Sequence, residues 1–492
     1  MKNYLKQNKV NIIIFVIIFT ITSAIYFPLL KGHYATDTYN IINKGYETYA
    51  ITYSLNDGRP IMCLISLIAQ KLNMPIMVYV IILTAIALIV SNISVIKLKN
   101  ITVKYIEEKN KKTEYIILAI AYIIIFNFAY LENLQFAECA IMSVSILLNI
   151  IAAQQIVEKK KNYILKSIII SILSIQFYQG TMNWLFTITF VLSLLKEKKI
   201  NMQVIKNVLF SVLCGALGCG VNMIQIKITG KIFGLTQSRM GSIKNIFSNI
   251  NVILESLNGT LQSTYGLFPK NMLYIFLIVI LIYSLIFMRK NKCNITLNLL
   301  AIILICIGTV YGPSLFTLSA FGTGRMAFSI GAMIGLMLLY IYCNLENNKI
   351  EEAILYSIMF LYIFISIGSS IIVMEEHKIV NNLDKQESQT VGKWIEEYEE
   401  QNNIEVKNVV FMYNNNSKLF YSDLNSGSAL CYKSLVKEWS RIGALNYYNN
   451  RKFVEQKNKS AYYQEYFSNK KWDKLDKEQL IFDGDTLYYC LY

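Results

Sequence analysis

The chain reads as a mainly α-helical, polytopic membrane protein carrying a small soluble α/β domain at its carboxy-terminal end, and three observations predict this. Of 492 residues, 54% are hydrophobic and only 16% charged. Apolar runs such as Ile12 to Leu30 and Ile116 to Ala129 recur at the length a bilayer demands. From about Glu375 those runs stop, and Tyr, Asn, Lys and Glu take over.

The first run, Asn11 to Leu30, has a Lys/Asn-rich start, lacks a small-residue cleavage site and is long enough to span. It is expected to be a retained helix with a cytoplasmic amino terminus. Further spans are expected at 75–96, 115–130, 136–157, 163–179, 182–195, 204–228, 271–288, 295–311, 326–343 and 353–373, about 11 in all. Residues 1–374 then form the membrane domain, with outer loops at 31–73 and 229–270, and residues 375–492 an extracytoplasmic soluble domain. Arg59 to Leu72 is taken as an interfacial or re-entrant helix. Every Lys-rich connection then falls on one side: Lys97 to Lys112, Lys159 to Lys161, Lys196 to Lys206 and Arg289 to Lys292. The net charge of +15 is thereby explained by topology beside anionic lipid, and no nucleic-acid role is expected.

In the second outer loop, Ile243 to Leu254 repeats its apolar residues at three and four, the spacing of a surface amphipathic helix. In the tail, helices are expected over Gln389–Tyr398 and Ser434–Ile442, and strands over Val406–Met412 and Thr486–Leu491, the last after an Asp483-Gly484-Asp485 turn. Its aromatics, Trp394, Trp439, Trp472, Tyr447, Tyr448, Tyr462 and Tyr463, could stack on sugar rings, although core and surface roles account for most rings of that kind. Of nine cysteines, only Cys431 and Cys490 lie in the external part, and a disulfide or two free thiols fit equally well. His33 and His377 are the only histidines, and no His/Cys cluster marks a zinc site.

The first outer loop is the best place to look for chemistry. Asp37 follows the first span closely, so it sits near the headgroup boundary, where partial loss of water makes a carboxylate more basic and able to take a proton from a sugar hydroxyl. The competing role is a loop or helix-cap aspartate. Asp57-Gly58-Arg59-Pro60 reads as a turn into a helix, with Arg59 free to present its planar fork to a phosphate. Glu132, Asn133 and Glu138 bracket the third and fourth spans. A carboxylate beside hydrocarbon should face a cavity, or pair with a neighbouring cation. Gln176, Tyr178, Gln179 and Asn183 could bind sugar hydroxyls or join helices. Arg325 is the cation at the outer end of the tenth span, suited to phosphate or to snorkelling.

At these residues the sequence resembles the Gtr-type membrane glucosyltransferases (glucosyltransferase family II-like) of the GT-C superfamily, which modify O-antigen. Four stretches carry the resemblance: Tyr34 to Tyr46 with Asp57-Gly58-Arg59-Pro60; Leu131-Glu132-Asn133-Leu134 with Phe136 and Glu138; Phe177-Tyr178-Gln179 with Asn183; and Gly324-Arg325. Thr36, Asn40 and Glu138 depart from the family pattern, which leaves Asp37 as the sole acid for the base role. The resemblance implies an inverting glycosyltransferase of the cell membrane. It would move a sugar, glucose in the best-known members, from a polyprenyl-phosphate donor to a surface glycan or wall polymer on the outer face. Asp37 would be the base, Arg59 and Arg325 would bind the donor phosphate, and Asp57, Glu132, Asn133, Glu138, Tyr178 and Gln179 would line the sugar and acceptor sites. A polyprenyl-phosphate glucosyl synthase and a sugar flippase would supply the donor. No organic cofactor is implied, and a divalent cation held by Asp37, Glu47 and Asp57 stays open.

Two other classes compete. A transporter or flippase of lipid-linked sugars would place charged residues or broken helices near the bilayer midplane. A membrane-anchored scaffold would bind wall polymer through its tail without chemistry.

Overall fold

A computed structural model describes residues 2–106, 110–235, 246–288, 292–316, 323–345, 348–414, 429–457 and 462–491. Residues 243–245 of the expected amphipathic segment, 107–109 of the first Lys-rich loop and Arg289 lie outside them. Each apolar stretch picked out from the sequence is largely helical. Among the described residues, five helices are long and apolar enough to cross a membrane: Ile76–Tyr105, Cys139–Glu158, Met202–Phe233, Cys293–Leu315 and Lys349–Asn402. Lys111–Ile125 and Phe128–Leu134, bent by 56°, make a sixth if counted as one span. The expected eleven crossings would also need the first helix, Lys2–Ile25, whose apolar part is Val10–Ile25, and Tyr163–Phe177, Met182–Glu197, Met272–Ile286 and Phe328–Cys343, the last four of 15 or 16 residues and shorter than a perpendicular crossing requires.

The helix Ile76–Thr102 turns Val78, Ile82, Ile86, Ile89 and Ile93 outward in a stripe, while Leu83, Ala87 and Leu88 are buried. An open apolar stripe of that length is costly in water and natural in lipid. The helix Cys139–Glu158 fixes the polarity of the bundle: Glu138 stands at the boundary before its first turn, and Lys104 and Lys160 pair with Glu158 at its end. Twenty residues at 1.5 Å each set those ends about 30 Å apart. Glu138 and the loops that carry Lys104 and Lys160 therefore lie at opposite ends of this helix.

The last long helix, Lys349–Asn402, runs unbroken from the apolar body into the tail, so the expected helix 389–398 is its final stretch. The tail carries a four-stranded sheet in the order β2-β1-β4-β3, from β1 (Asn408–Tyr413), β2 (Val454–Glu455), β3 (Leu480–Asp483) and β4 (Thr486–Leu491). β1 pairs in parallel with β2 and β4, and β3 turns through Gly484 (φ +57°) to pair antiparallel with β4. Alternation sorts the strand residues between two cores. Val409, Phe411, Leu487, Tyr489 and Leu491 face Val391 and Ile395 of the long helix, whereas Val410, Met412, Tyr488 and Cys490 face Phe467 and Trp472. Cys431 and Cys490 belong to different cores and are free thiols.

The expected helix over 434–442 is replaced by a short turn, Ser434–Val436, and a helix, Arg441–Asn449. The buried Asp384 carboxylate accepts the Ser434 N–H (2.8 Å) and the Leu435 N–H (3.4 Å), and Lys437 is extended (φ −89°, ψ 127°). Capture of these first amides is compatible with a helix start, and the break comes at Lys437, whose extended backbone ends the turn before the next helix begins. The expected amphipathic helix is present as Ile246–Ser263.

Candidate active site

Asp37 lies in the first turn of the helix Thr36–Thr48, entered through an extended Ala35, whose N–H donates to Thr38 Oγ1 (3.2 Å). The positive end of that helix favours a carboxylate there. Asp37 is enclosed but keeps part of its surface open. Loss of water, and then the Glu138 carboxylate, push its pKa up to about 6. The guanidiniums of Arg325 and Arg59 and a hydrogen bond from the Trp439 indole N–H pull the other way. The result is a carboxylate basic enough to take a proton and ionised near neutral pH.

One wall of the site is the turn before the helix Pro60–Lys71. Gly58 there has φ +75°, and a Cβ would stand 2.5 Å from Asn222 Oδ1 and 2.6 Å from Gln179 Nε2, so both backbone freedom and close approach require glycine. Gln179 Nε2 donates to the carbonyls of Asp57 (2.6 Å) and Gly58 (3.0 Å), and Asn222 Nδ2 donates to Gly58 O (2.7 Å). The turn is thus clamped to the helix Met202–Phe233. Arg59, aimed by this clamp, donates from Nη1 to Glu138 Oε1 (3.2 Å), pairs through Nη2 with Asp57 Oδ2 (3.5 Å) and lies 5.1 Å from the Tyr178 ring centroid. The Tyr49 hydroxyl donates to the same oxygen of Glu138.

The opposite wall comes from the turn Gly324–Met326 and the short helix Phe128–Leu134. Glu132 accepts the backbone N–H groups of Gly324 and Arg325, and a Cβ on Gly324 would collide with it. Asn183 Nδ2 donates to Met326 O (2.6 Å) and ties this turn to Met182–Glu197. Arg325 lies over the Phe136 ring, 4.4 Å from its centroid, and has no ion pair within 4.0 Å among the described residues. Its charge reaches Glu132 and Asp37. Glu132 Oε1, both amide atoms of Asn133 and Arg59 Nε are buried and have no hydrogen-bond partner among the described residues. Unsatisfied polar atoms are costly in a folded chain, and a bound polar ligand is one way to satisfy them.

Of the residues expected from sequence, Asp37, Arg59, Glu132, Glu138, Tyr178 and Arg325 converge. Asp57 and Gln179 are engaged in shaping the Arg59 turn. Glu47 is exposed, and among the described residues no group of three or more acids, histidines or cysteines could hold a metal, so Asp37, Glu47 and Asp57 do not meet. His33 and His377 pack edge to face, 5.5 Å between ring centroids, and hydrogen-bond to backbone carbonyls of Leu29, Gln135 and Leu430. Burial, with His33 beside it, holds His377 near 3, so it is a neutral packing group.

Three site residues were not singled out for this role by sequence: Tyr49, Asn222 and Trp439. Nothing local marks the first two. Trp439 belonged to an aromatic set, but its approach to Asp37 depends on how the tail folds back. That docking is made by Tyr34 and Tyr39 of the first loop, whose hydroxyls each lie 2.6 Å from those of Tyr447 and Tyr448, and by Asn381, paired with the Tyr34 backbone at 2.8 and 3.0 Å.

A family model described as Glucosyl transferase GtrII matches residues 26–342. That stretch contains both walls of the site and Asp37, and it ends before the tail. No curated protein and no solved structure matches the chain.

Proposed function

The chain belongs to the GtrII glucosyl transferase family, and from that premise we propose that it transfers glucose from a polyprenyl-phosphate donor to a surface glycan or wall polymer, on the extracytoplasmic face of the cell membrane. The observation that carries this reading is a partly open carboxylate with raised basicity, Asp37, beside a guanidinium, Arg325, that has no ion pair among the described residues. The wide separation of this cluster from the Lys-rich loops supports an outward-facing site.

In the proposed step an acceptor hydroxyl attacks the anomeric carbon. The bond from that carbon to the phosphate oxygen breaks on the opposite face, the hydroxyl proton passes to Asp37, and polyprenyl phosphate leaves. One displacement inverts the anomeric configuration, and the atoms balance. Arg325 binds the departing phosphate, whose charge grows as the bond breaks. Arg59 adds to the positive field while holding Glu138 and Asp57, and its unpaired Nε is a further donor. Glu132 Oε1 and the Asn133 amide accept and donate to sugar hydroxyls, Tyr178 backs the two arginines, and Gln179 keeps the Arg59 turn in place.

The test is to incubate purified protein with radiolabelled polyprenyl-phosphate glucose and polysaccharide extracted from the cell envelope. Label is expected to enter the polysaccharide with release of free polyprenyl phosphate. Passage of intact donor across a liposome bilayer with no such release would identify a transporter instead and overturn the proposal.

A further inference from the structure

The segment between the long helix and the tail sheet combines a rigid frame with open aromatic rings. Lys433, Ser434, Leu435 and Ser440 are buried. Lys433 Nζ pairs with Glu387 Oε2 at 2.5 Å, Asp384 takes two backbone amides, and Ser440 Oγ donates to Ser434 O at 2.6 Å. From this frame Tyr432 and Trp439 project with 39% and 46% of their surfaces open, and Lys437 Nζ stands 4.1 Å from the Tyr432 ring centroid. The segment leads into the helix Arg441–Asn449, which packs on the helix that carries Asp37: a Cβ on Gly443 would stand 2.2 Å from Tyr39 O, and the Tyr447 and Tyr448 hydroxyls meet those of Tyr34 and Tyr39. Trp439 thereby lies close enough to act on the Asp37 carboxylate, and Tyr432 on the side of Glu132 and Arg325. Exposed rings held in fixed positions cost little to order and match the apolar C–H faces of a sugar. On the glucosyl-transfer reading an acceptor glycan approaches from the aqueous side, where the tail docks beside Asp37, and a lipid-borne donor from the membrane side.

We propose that the carboxy-terminal domain supplies the acceptor subsite. Tyr432 and Trp439 stack on a sugar of the incoming glycan, Lys437 donates to its hydroxyls, and the Trp439 indole N–H positions the Asp37 carboxylate. This rests on the glucosyl-transfer reading above and assigns the part of the chain outside the family match.

The experiment uses the full chain in nanodiscs, with radiolabelled polyprenyl-phosphate glucose and extracted envelope polysaccharide, measuring KM for each. Tyr432→Ala and Trp439→Ala are expected to raise the polysaccharide KM about tenfold each and leave the donor KM unchanged, as loss of one stacking ring implies. Trp439→Phe keeps a ring but removes the N–H. Because that hydrogen bond favours ionised Asp37, its loss raises the Asp37 pKa and moves the acid limb of the rate profile to higher pH, a change that loss of packing alone would not produce. An unchanged polysaccharide KM in both alanine variants, or a rise confined to the donor KM, would overturn the subsite. Absence of transfer by the unaltered protein would instead overturn the glucosyl-transfer reading.

Discussion

Arg59 and Arg325 come from two different turns and both act on Asp37, and their surroundings differ sharply. Arg59 is held by two carboxylates, Glu138 and Asp57, on a turn clamped by Gln179 and Asn222. Arg325 rests on the Phe136 ring with no carboxylate in bridging range among the described residues. A guanidinium already paired with acids has most of its charge committed to architecture, whereas one facing an aromatic ring keeps it for a ligand. Two arginines with the same sequence-level assignment thus separate into one paired with acids and one without such a pair, and under the proposed function the second is the one left for the donor phosphate.

The largest expected effect is on that shared carboxylate. Asp37→Asn should lower transfer by roughly 10²–10⁴-fold, the usual contribution of a positioned general base, at unchanged abundance in the membrane. Next, Arg59→Ala removes the cation beside the buried Glu138 carboxylate and should cost about 3–5 kcal/mol of stability, read as earlier thermal unfolding in detergent; adding Glu138→Gln should recover part of the loss. Arg325→Ala should leave thermal stability almost unchanged but raise the donor KM roughly 10–100-fold, with Arg325→Lys intermediate. Equal destabilisation by the two alanine variants would break the contrast. The smallest effect is expected at the tail: Tyr39→Phe removes the hydroxyl contact with Tyr448 and should cost about 0.5–1.5 kcal/mol, seen as faster protease cleavage of the tail from the body.

Much of the membrane body was legible because its signal is local. Runs of apolar residues became helices, and the charged residues at their ends, Asp37, Glu132, Glu138 and Arg325, were conspicuous against an apolar background. The division of labour between Arg59 and Arg325 was not legible, since it depends on which acids fold back onto which arginine. The tail was read less well for the same reason. Asp384, far up the long helix, pins the turn at Ser434 and Leu435 by accepting their amides, and the extended Lys437 breaks the helix that local propensity favours there. Trp439 meets Asp37 only because Tyr34 and Tyr39 dock against Tyr447 and Tyr448, a pairing across nearly the whole chain that no periodicity encodes. Glu47 shows the converse: it shares a loop with Asp37 and Asp57, yet its place on the helix Thr36–Thr48 leaves it exposed.

The central claim is that Asp37, with its basicity raised by burial and by Glu138, accepts the proton of the acceptor hydroxyl. The pH dependence of the transfer rate at saturating donor and acceptor tests it most directly. Because the protonated carboxyl cannot act as a base, the rate should be level above the raised pKa, at about 6, and fall about tenfold per unit as pH drops below it. A rate that stays constant down to the ordinary carboxylate range, or that falls as pH rises through neutrality, would contradict the account.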